Sequence, residues 1–343
     1  MSEFNHAPLG ELIEIDGDRT FAIEAAADPE ANLGSRAWNN LDGLYVPIDT
    51  RQRHQALVIN PLRDDILGVI GAWSTSIRDG EKAPDGRGAY GYELAEIGLR
   101  NPDMTIAAPQ KHGEKGAPIL TDVQREQLRD EGRYVEIGYG LIRAFEQKGT
   151  VPTALFGISE GAREVLGVAA TGSLKGRLKT VIMVDPVGVE DMGRPKLAKG
   201  FALTEGGHQA KYLDLESADP EQKDIMTRHG LIKGTSKMIG RWAAQGSLRD
   251  QAGARIKALS QGGLEADLHD ALANNPDLKI VWVTAEHSAV AKQEKVIEIY
   301  SHLPESLKRR VTLLNAPDAT HSLTQAHAHR VAASIPVLLS AAA

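Results

Sequence analysis

Two residues far apart in the chain have the type and surroundings that nucleophilic chemistry needs. Ser159 sits in Gly157-Ile158-Ser159-Glu160-Gly161, after an apolar run over residues 151–156 and before a helix-like segment over 162–170 that closes at Gly172. A serine on such a sharp strand-to-helix turn exposes its hydroxyl, and the flanking glycines let neighbouring backbone pass close by. A hydroxyl is a weak nucleophile until a histidine accepts its proton, and that histidine needs an acid to fix its tautomer and stabilise its charge. With this kind of turn the partners follow in the order serine, acid, histidine. Of the eleven histidines, His321 has the fitting context: Asn315-Ala316-Pro317-Asp318-Ala319-Thr320-His321-Ser322-Leu323 forms a loop between the last predicted strand and the terminal helix. The chemistry would be attack of Ser159 on an acyl carbonyl.

Two other patterns carry less. His327 and His329 stand near His321, but their spacing on the terminal helix does not converge on one face, and no acidic ligand is close in sequence, so a metal site is not expected. Gly86-Arg87-Gly88-Ala89-Tyr90-Gly91 matches a dinucleotide-binding glycine pattern. The strand before it ends over a dozen residues earlier and no acidic residue closes the next strand, so the pattern lacks the context that gives it meaning.

The elements that must position these residues follow from the apolar runs. Residues 56–59, 66–70, 104–107, 151–156, 181–184, 280–283 and 311–314 read as buried strands. Helical segments are expected at 91–99, 121–147, 162–170 and 292–300, and from about Leu323 to the end, with Pro336 kinking or restarting the last one. Short buried strands alternating with helices predict an α/β fold with a mostly parallel twisted sheet and helices on both faces. Residues 1–50 read as a β-ribbon followed by a loop. Between 188 and 277 the rhythm breaks into polar, helix-like pieces at 219–229, 235–245 and 263–273, which predicts an insertion over the C-terminal edge of the sheet, a helical lid. The domain expectation is a core of 1–187 plus 278–343 and a lid of 188–277.

Composition narrows the classes. The 343 residues are 42% hydrophobic and 25% charged, with a net charge of −7 and no cysteine. That is ordinary for a globular protein, excludes disulfides and a thiolate nucleophile, and gives no basic stripe for nucleic acid. No apolar signal core or membrane-length run is visible, so the expected location is cytoplasmic, with no membrane span.

With the Gly-Ile-Ser-Glu-Gly elbow after a central strand, helical pieces after the next strand, and His-Ser-Leu opening the final helix, the chain resembles the α/β-hydrolase family over roughly residues 55–343. The resemblance implies a serine hydrolase acting on a carboxylic ester, thioester or amide of a small molecule, with an acyl-enzyme at Ser159, His321 as base and no cofactor. A serine at the elbow sets the chain apart from the epoxide- and haloalkane-cleaving branches. Non-catalytic ligand binding on the same fold, acyl transfer and carbon–carbon cleavage at the same serine are the alternatives, and homodimerisation stays open.

The acid departs from the family pattern. The usual loop reads Thr284-Ala285-Glu286-His287-Ser288, with Ser288 where an aspartate is expected. Glu286 is the first choice, Asp185 at the end of the strand over 181–184 the second (a position some family members use), and Asp318 the third. The oxyanion hole would take the backbone N–H of Glu160 and one from the loop after the strand over 66–70. There the chain has Gly71-Ala72-Trp73 in place of a His-Gly pair, and Ala72 is preferred over Trp73.

Overall fold

In the computed structural model of the protein, the described residues are 56–59, 63–72, 89–112, 118–147, 149–205, 246–317, 319–321, 323–326 and 328–341. The ribbon expected in residues 1–50, Trp73, Gly86 to Gly88, the helical pieces expected at 219–229 and 235–245, Asp318 and His327 lie outside them.

Seven strands form one sheet: β1 (Ala56–Ile59), β2 (Ile66–Ile70), β3 (Thr105–Pro109), β4 (Ala154–Ile158), β5 (Thr180–Val184), β6 (Lys279–Ala285) and β7 (Val311–Ala316). Their order is β1-β3-β2-β4-β5-β6-β7. Only β1 runs antiparallel, against β3; every other pair is parallel. From β2 the chain first moves outward to β3, then returns to place β4 on the other side of β2. That reversal is the switch point of an open parallel sheet, lying at the carboxyl ends of β2 and β4.

Alternating side chains on the central strands feed two separate cores. Leu155, Val181 and Met183 enter one, with residues of helices α2 (Asp122–Asp130), α3 (Val135–Gln147), α4 (Glu160–Ala170), α6 (Gly246–Ser260) and α7 (Leu264–Asn274). Phe156, Ile158, Ile182 and Val184 enter the other, with residues of α1 (Ala89–Arg100) and α11 (Ala328–Ala341). Both faces are covered, which is why the strands are apolar throughout rather than alternating with polar residues.

The helix expected across 121–147 is two helices. It breaks after Glu131, which caps α2, at Gly132, whose φ of 66° is a left-handed conformation that ends a helix. The terminal segment also divides, into α10 (Leu323–Ala326) and α11, but Pro336 neither ends nor restarts α11, which is continuous through it. Proline at 336 leaves the Ala332 carbonyl without its helical donor. Asn101, at the end of α1, donates its Nδ2 to that oxygen at 3.0 Å, so the buried carbonyl is satisfied from a neighbouring helix.

The stretch expected to be a lid is in part the body of the domain. Leu264, Leu268, Ala271 and Leu272 of α7 and Ala254, Ala258 and Leu259 of α6 belong to the first core, and α7 lies along α4. What precedes them is α5 (Arg194–Lys199), running directly into a π-helix, Gly200–Glu205. Two short helices, α8 (Gln293–His302) and α9 (Glu305–Lys308), complete the path to β7. Among the described residues no helix is long and apolar enough to cross a membrane.

Candidate active site

The C-terminal ends of β4 and β5 lie level, because Ile158 is in register with Val184. The next residue on each strand is therefore Ser159 on one and Asp185 on the other. Each still extends the sheet through its N–H, Ser159 to the Val184 carbonyl at 2.9 Å and Asp185 to the Val283 carbonyl at 2.8 Å. Each then leaves it sharply: φ is 55° at Ser159 and 43° at Asp185, and these are the only non-glycine residues with positive φ among the described residues. Such conformations cost of order 1–3 kcal/mol each and persist where the surrounding structure holds them.

Gly157 and Gly161 permit the turn. A β-carbon on Gly157 would meet the carbonyl of Gly161, and one on Gly161 would run into the carbonyl oxygens of Ile70 and Gly71. The first turn of α4 thus passes against the end of β2, which only a bare α-carbon allows.

His321 reaches these residues from the loop after β7. Its Nε2 lies 2.8 Å from Ser159 Oγ and its Nδ1 lies 2.6 Å from Asp185 Oδ2. A carboxylate can only accept, so Nδ1 carries the proton and Nε2 is left to accept from the serine hydroxyl. The second oxygen of Asp185 accepts the Ala285 N–H at 3.0 Å, which fixes the carboxylate as the carboxylate fixes the ring. The His321 side chain is 8% exposed and that of Asp185 1%, so water competes little for the pair. Phe201 of the π-helix stands edge-on to the imidazole, with ring centroids 5.5 Å apart at 72°.

The acid position differs from the sequence expectation. β6 runs in register with β5 as far as Val283 and continues through Ala285, so Glu286 stands two residues, about 6–7 Å, beyond the level of Asp185. Glu286 is exposed, and its N–H bonds the Ala316 carbonyl. The carboxylate on Nδ1 of His321 is that of Asp185, not Glu286.

Around Glu160, the residue after the serine, the sequence gives no hint of what the fold assembles. Its carboxylate is fully buried, accepting from Lys111 Nζ at 2.8 Å, Arg255 Nη1 at 2.6 Å and Tyr134 Oη at 3.1 Å. Burial alone would raise this carboxyl, but Arg255 and Lys111 outweigh it and hold the group at about 2. Arg255 also donates to Glu164 Oε1 and to the His112 carbonyl, both at 2.6 Å. Burial, which lowers its guanidinium, is outweighed by the negative charges of Glu160 and Glu164, which push it upward. One turn further, the buried Arg163 of α4 ties the elbow helix to α7 and to the turn before α3 through Asp267, Gly262 and Gly132. Lysine 111, Glu160, Glu164 and Arg255 lie up to 144 positions apart, so no local pattern marks them.

Among the described residues no group of histidine and carboxylate side chains could hold a metal ion.

The sheet order, the elbow and its helix define the α/β-hydrolase fold, and solved structures share it. The chain is similar to a serine hydrolase from the polyaromatic-hydrocarbon-degrading bacterium Cycloclasticus zankles, at a TM-score of 0.56 and 11% identity over 85% of this chain and 96% of that one. It is similar to the enol-lactonase of Burkholderia xenovorans, at 0.54 and 9% over 84% and 96%. It is also similar to a lipase-esterase related protein of Clostridium acetobutylicum, at 0.53 and 12% over 83% and 99%. No protein-family model matches the chain, and no curated protein matches it in sequence.

Proposed function

We propose that the protein is a serine hydrolase that cleaves a carboxylic ester, or a related thioester or amide, of a small molecule through an acyl-enzyme at Ser159. The observation that carries this reading is the chain Ser159–His321–Asp185, with contacts of 2.8 and 2.6 Å, in which both the serine and the aspartate sit at positive φ. Strained backbone on two adjacent strand ends, meeting on one histidine, is a cost that core packing alone does not call for.

In this reading Ser159 Oγ attacks the carbonyl carbon while His321 Nε2 takes its proton, and the carbonyl oxygen becomes an oxyanion. Asp185 keeps the proton on Nδ1 and stabilises the imidazolium. The N–H groups of Glu160, at the first position of α4, and of Ala72, in the segment after β2, are the proposed donors to the oxyanion; the start of a helix adds its own positive field. The tetrahedral species collapses as Nε2 protonates the leaving alcohol, thiol or amine, which departs. Water then adds to the acyl group, giving its proton to Nε2. That proton returns to Oγ as the acid leaves, and the enzyme is restored.

Phe201 edge-on to His321 supports an apolar group beside the reacting carbon. The serine hydrolase, enol-lactonase and lipase-esterase names of structures with this fold are in keeping with acyl chemistry.

The reading is tested with p-nitrophenyl esters of increasing chain length. Turnover by the wild type that is lost in Ser159→Ala and His321→Ala, with both variants folded, supports it. Folded wild-type protein that turns over none of the esters, nor thioester and anilide analogues, contradicts it.

A further inference from the structure

The two proposed oxyanion donors belong to segments that leave different strands, Ala72 after β2 and Glu160 after β4. One side chain touches both. Lys111, just past β3, directs Nζ to Glu160 Oε2 at 2.8 Å, to the Gly71 carbonyl at 3.4 Å and to the Ala72 carbonyl at 3.3 Å. Three acceptors match the three protons of an ammonium, so the group is fully used by these contacts.

The peptide unit makes the Gly71 contact consequential. The carbonyl of Gly71 and the N–H of Ala72 are one rigid plane, pointing in opposite directions. A cation drawing the oxygen to one side aims the N–H to the other. Glu160 is held the same way at its side chain, whose second oxygen is taken by Arg255 and Tyr134. Lys111 is 3% exposed and Glu160 0%, so solvent and salt screen their attraction little. A lone buried lysine would be costly, but Glu160 at 2.8 Å and Glu164 at 3.7 Å balance it.

Resting on the hydrolase reading above, we propose that Lys111 is a positioning residue that sets the oxyanion hole, clamping the Gly71–Ala72 peptide to the elbow so that the N–H groups of Ala72 and Glu160 converge on one point. It touches no substrate. Its effect falls on the transition state, where the oxyanion forms, and not on ground-state binding.

The test compares wild type with Lys111→Met, which keeps the aliphatic stem and leaves Glu160 paired to Arg255 and Tyr134. Rates on p-nitrophenyl acetate are taken per titrated active site, alongside inhibition by an alkyl trifluoromethyl ketone, whose serine adduct is itself an oxyanion. The expected result is kcat lower by roughly 10- to 100-fold, KM within about twofold, and ketone affinity lower by a factor similar to that in kcat. The pH midpoint of kcat/KM should stay at its wild-type value, because the His321–Asp185 pair is untouched. A folded Lys111→Met with wild-type kcat and ketone affinity overturns the clamp while leaving the hydrolase reading standing.

If the methionine variant does not fold, Lys111→Arg serves. Its planar fork keeps the Glu160 pair but cannot offer one nitrogen to three acceptors, so the same selective fall in kcat is expected, and wild-type kcat in a folded Lys111→Arg overturns the proposal. A wild type that forms no adduct at Ser159 at all overturns the hydrolase reading, and the clamp with it.

Discussion

Asp185 holds His321 from behind: Oδ2 lies 2.6 Å from Nδ1, and Oδ1 is itself fixed by the Ala285 N–H at 3.0 Å. Replacing Asp185 by asparagine keeps the shape, but the amide oxygen is needed to accept the Ala285 N–H, so the amide N–H faces Nδ1 and favours the wrong tautomer. Asp185→Asn should therefore lower kcat by about 10³- to 10⁴-fold with the fold intact. Glu286→Ala should leave kcat within about threefold, since Glu286 stands two residues beyond the level of Asp185, whose carboxylate is the one on Nδ1. Steady-state kinetics on a p-nitrophenyl ester compare the two directly, and the reverse order of effects would return the acid to Glu286.

Phe201 meets the imidazole edge-on at 5.5 Å, and such aromatic contacts are worth about 0.5–1.5 kcal/mol beyond buried area. An apolar ring against the imidazole should, on the hydrolase reading, matter more for binding than for proton transfer. Phe201→Ala should raise KM for long-chain esters by about 3- to 10-fold while changing kcat on acetate by less, a split read from kinetics across chain length.

Asn101 and Pro336 form a compensating pair in the fold that carries His321. Asn101→Leu leaves the buried Ala332 carbonyl unpaired and should cost about 1–3 kcal/mol in urea unfolding. In a Pro336→Ala background the restored helical N–H takes over part of that role, so the same change should cost less. Equal costs in both backgrounds would show that the two residues are not coupled.

Glu93 in α1 is buried, and burial raises its carboxyl from 4.5 to about 8, with Thr324 acting weakly in the other direction. Below pH 4.5 the group is protonated in both folded and unfolded chains. Between pH 4.5 and 8 only the folded chain holds the proton, so stability falls as pH rises through this window. Glu93→Gln removes the titration. Its melting temperature should gain on wild type between pH 5 and pH 8, by roughly 2–4 °C for each kcal/mol of relief. A constant difference across that range would contradict a raised Glu93.

Much of this was legible in the chain. The seven apolar runs are the seven strands, because a sheet buried on both faces needs unbroken apolar segments, and the Gly157 to Gly161 pattern encodes its own local geometry. The contact of His321 with Ser159 follows from its place before the final helix. Which carboxylate meets its Nδ1 does not follow, because choosing between Asp185 and Glu286 requires knowing how far β6 outruns β5, and register is a relation between strands. Residues 246–277 looked like an insertion since their core-facing residues are largely alanine and widely spaced leucine. Only their packing along α4 shows that they belong to the body. The Lys111–Glu160–Arg255 cluster joins three distant segments and leaves no local trace at all.

Whether Ser159 is an activated nucleophile can be read from intact mass after incubation with a fluorophosphonate. One phosphonyl adduct per chain is expected on wild type, mapped to the peptide bearing Ser159, with no adduct in Ser159→Ala and labelling slowed by orders of magnitude in His321→Ala. Folded wild-type protein that remains unmodified, or that is modified equally in Ser159→Ala, would contradict it.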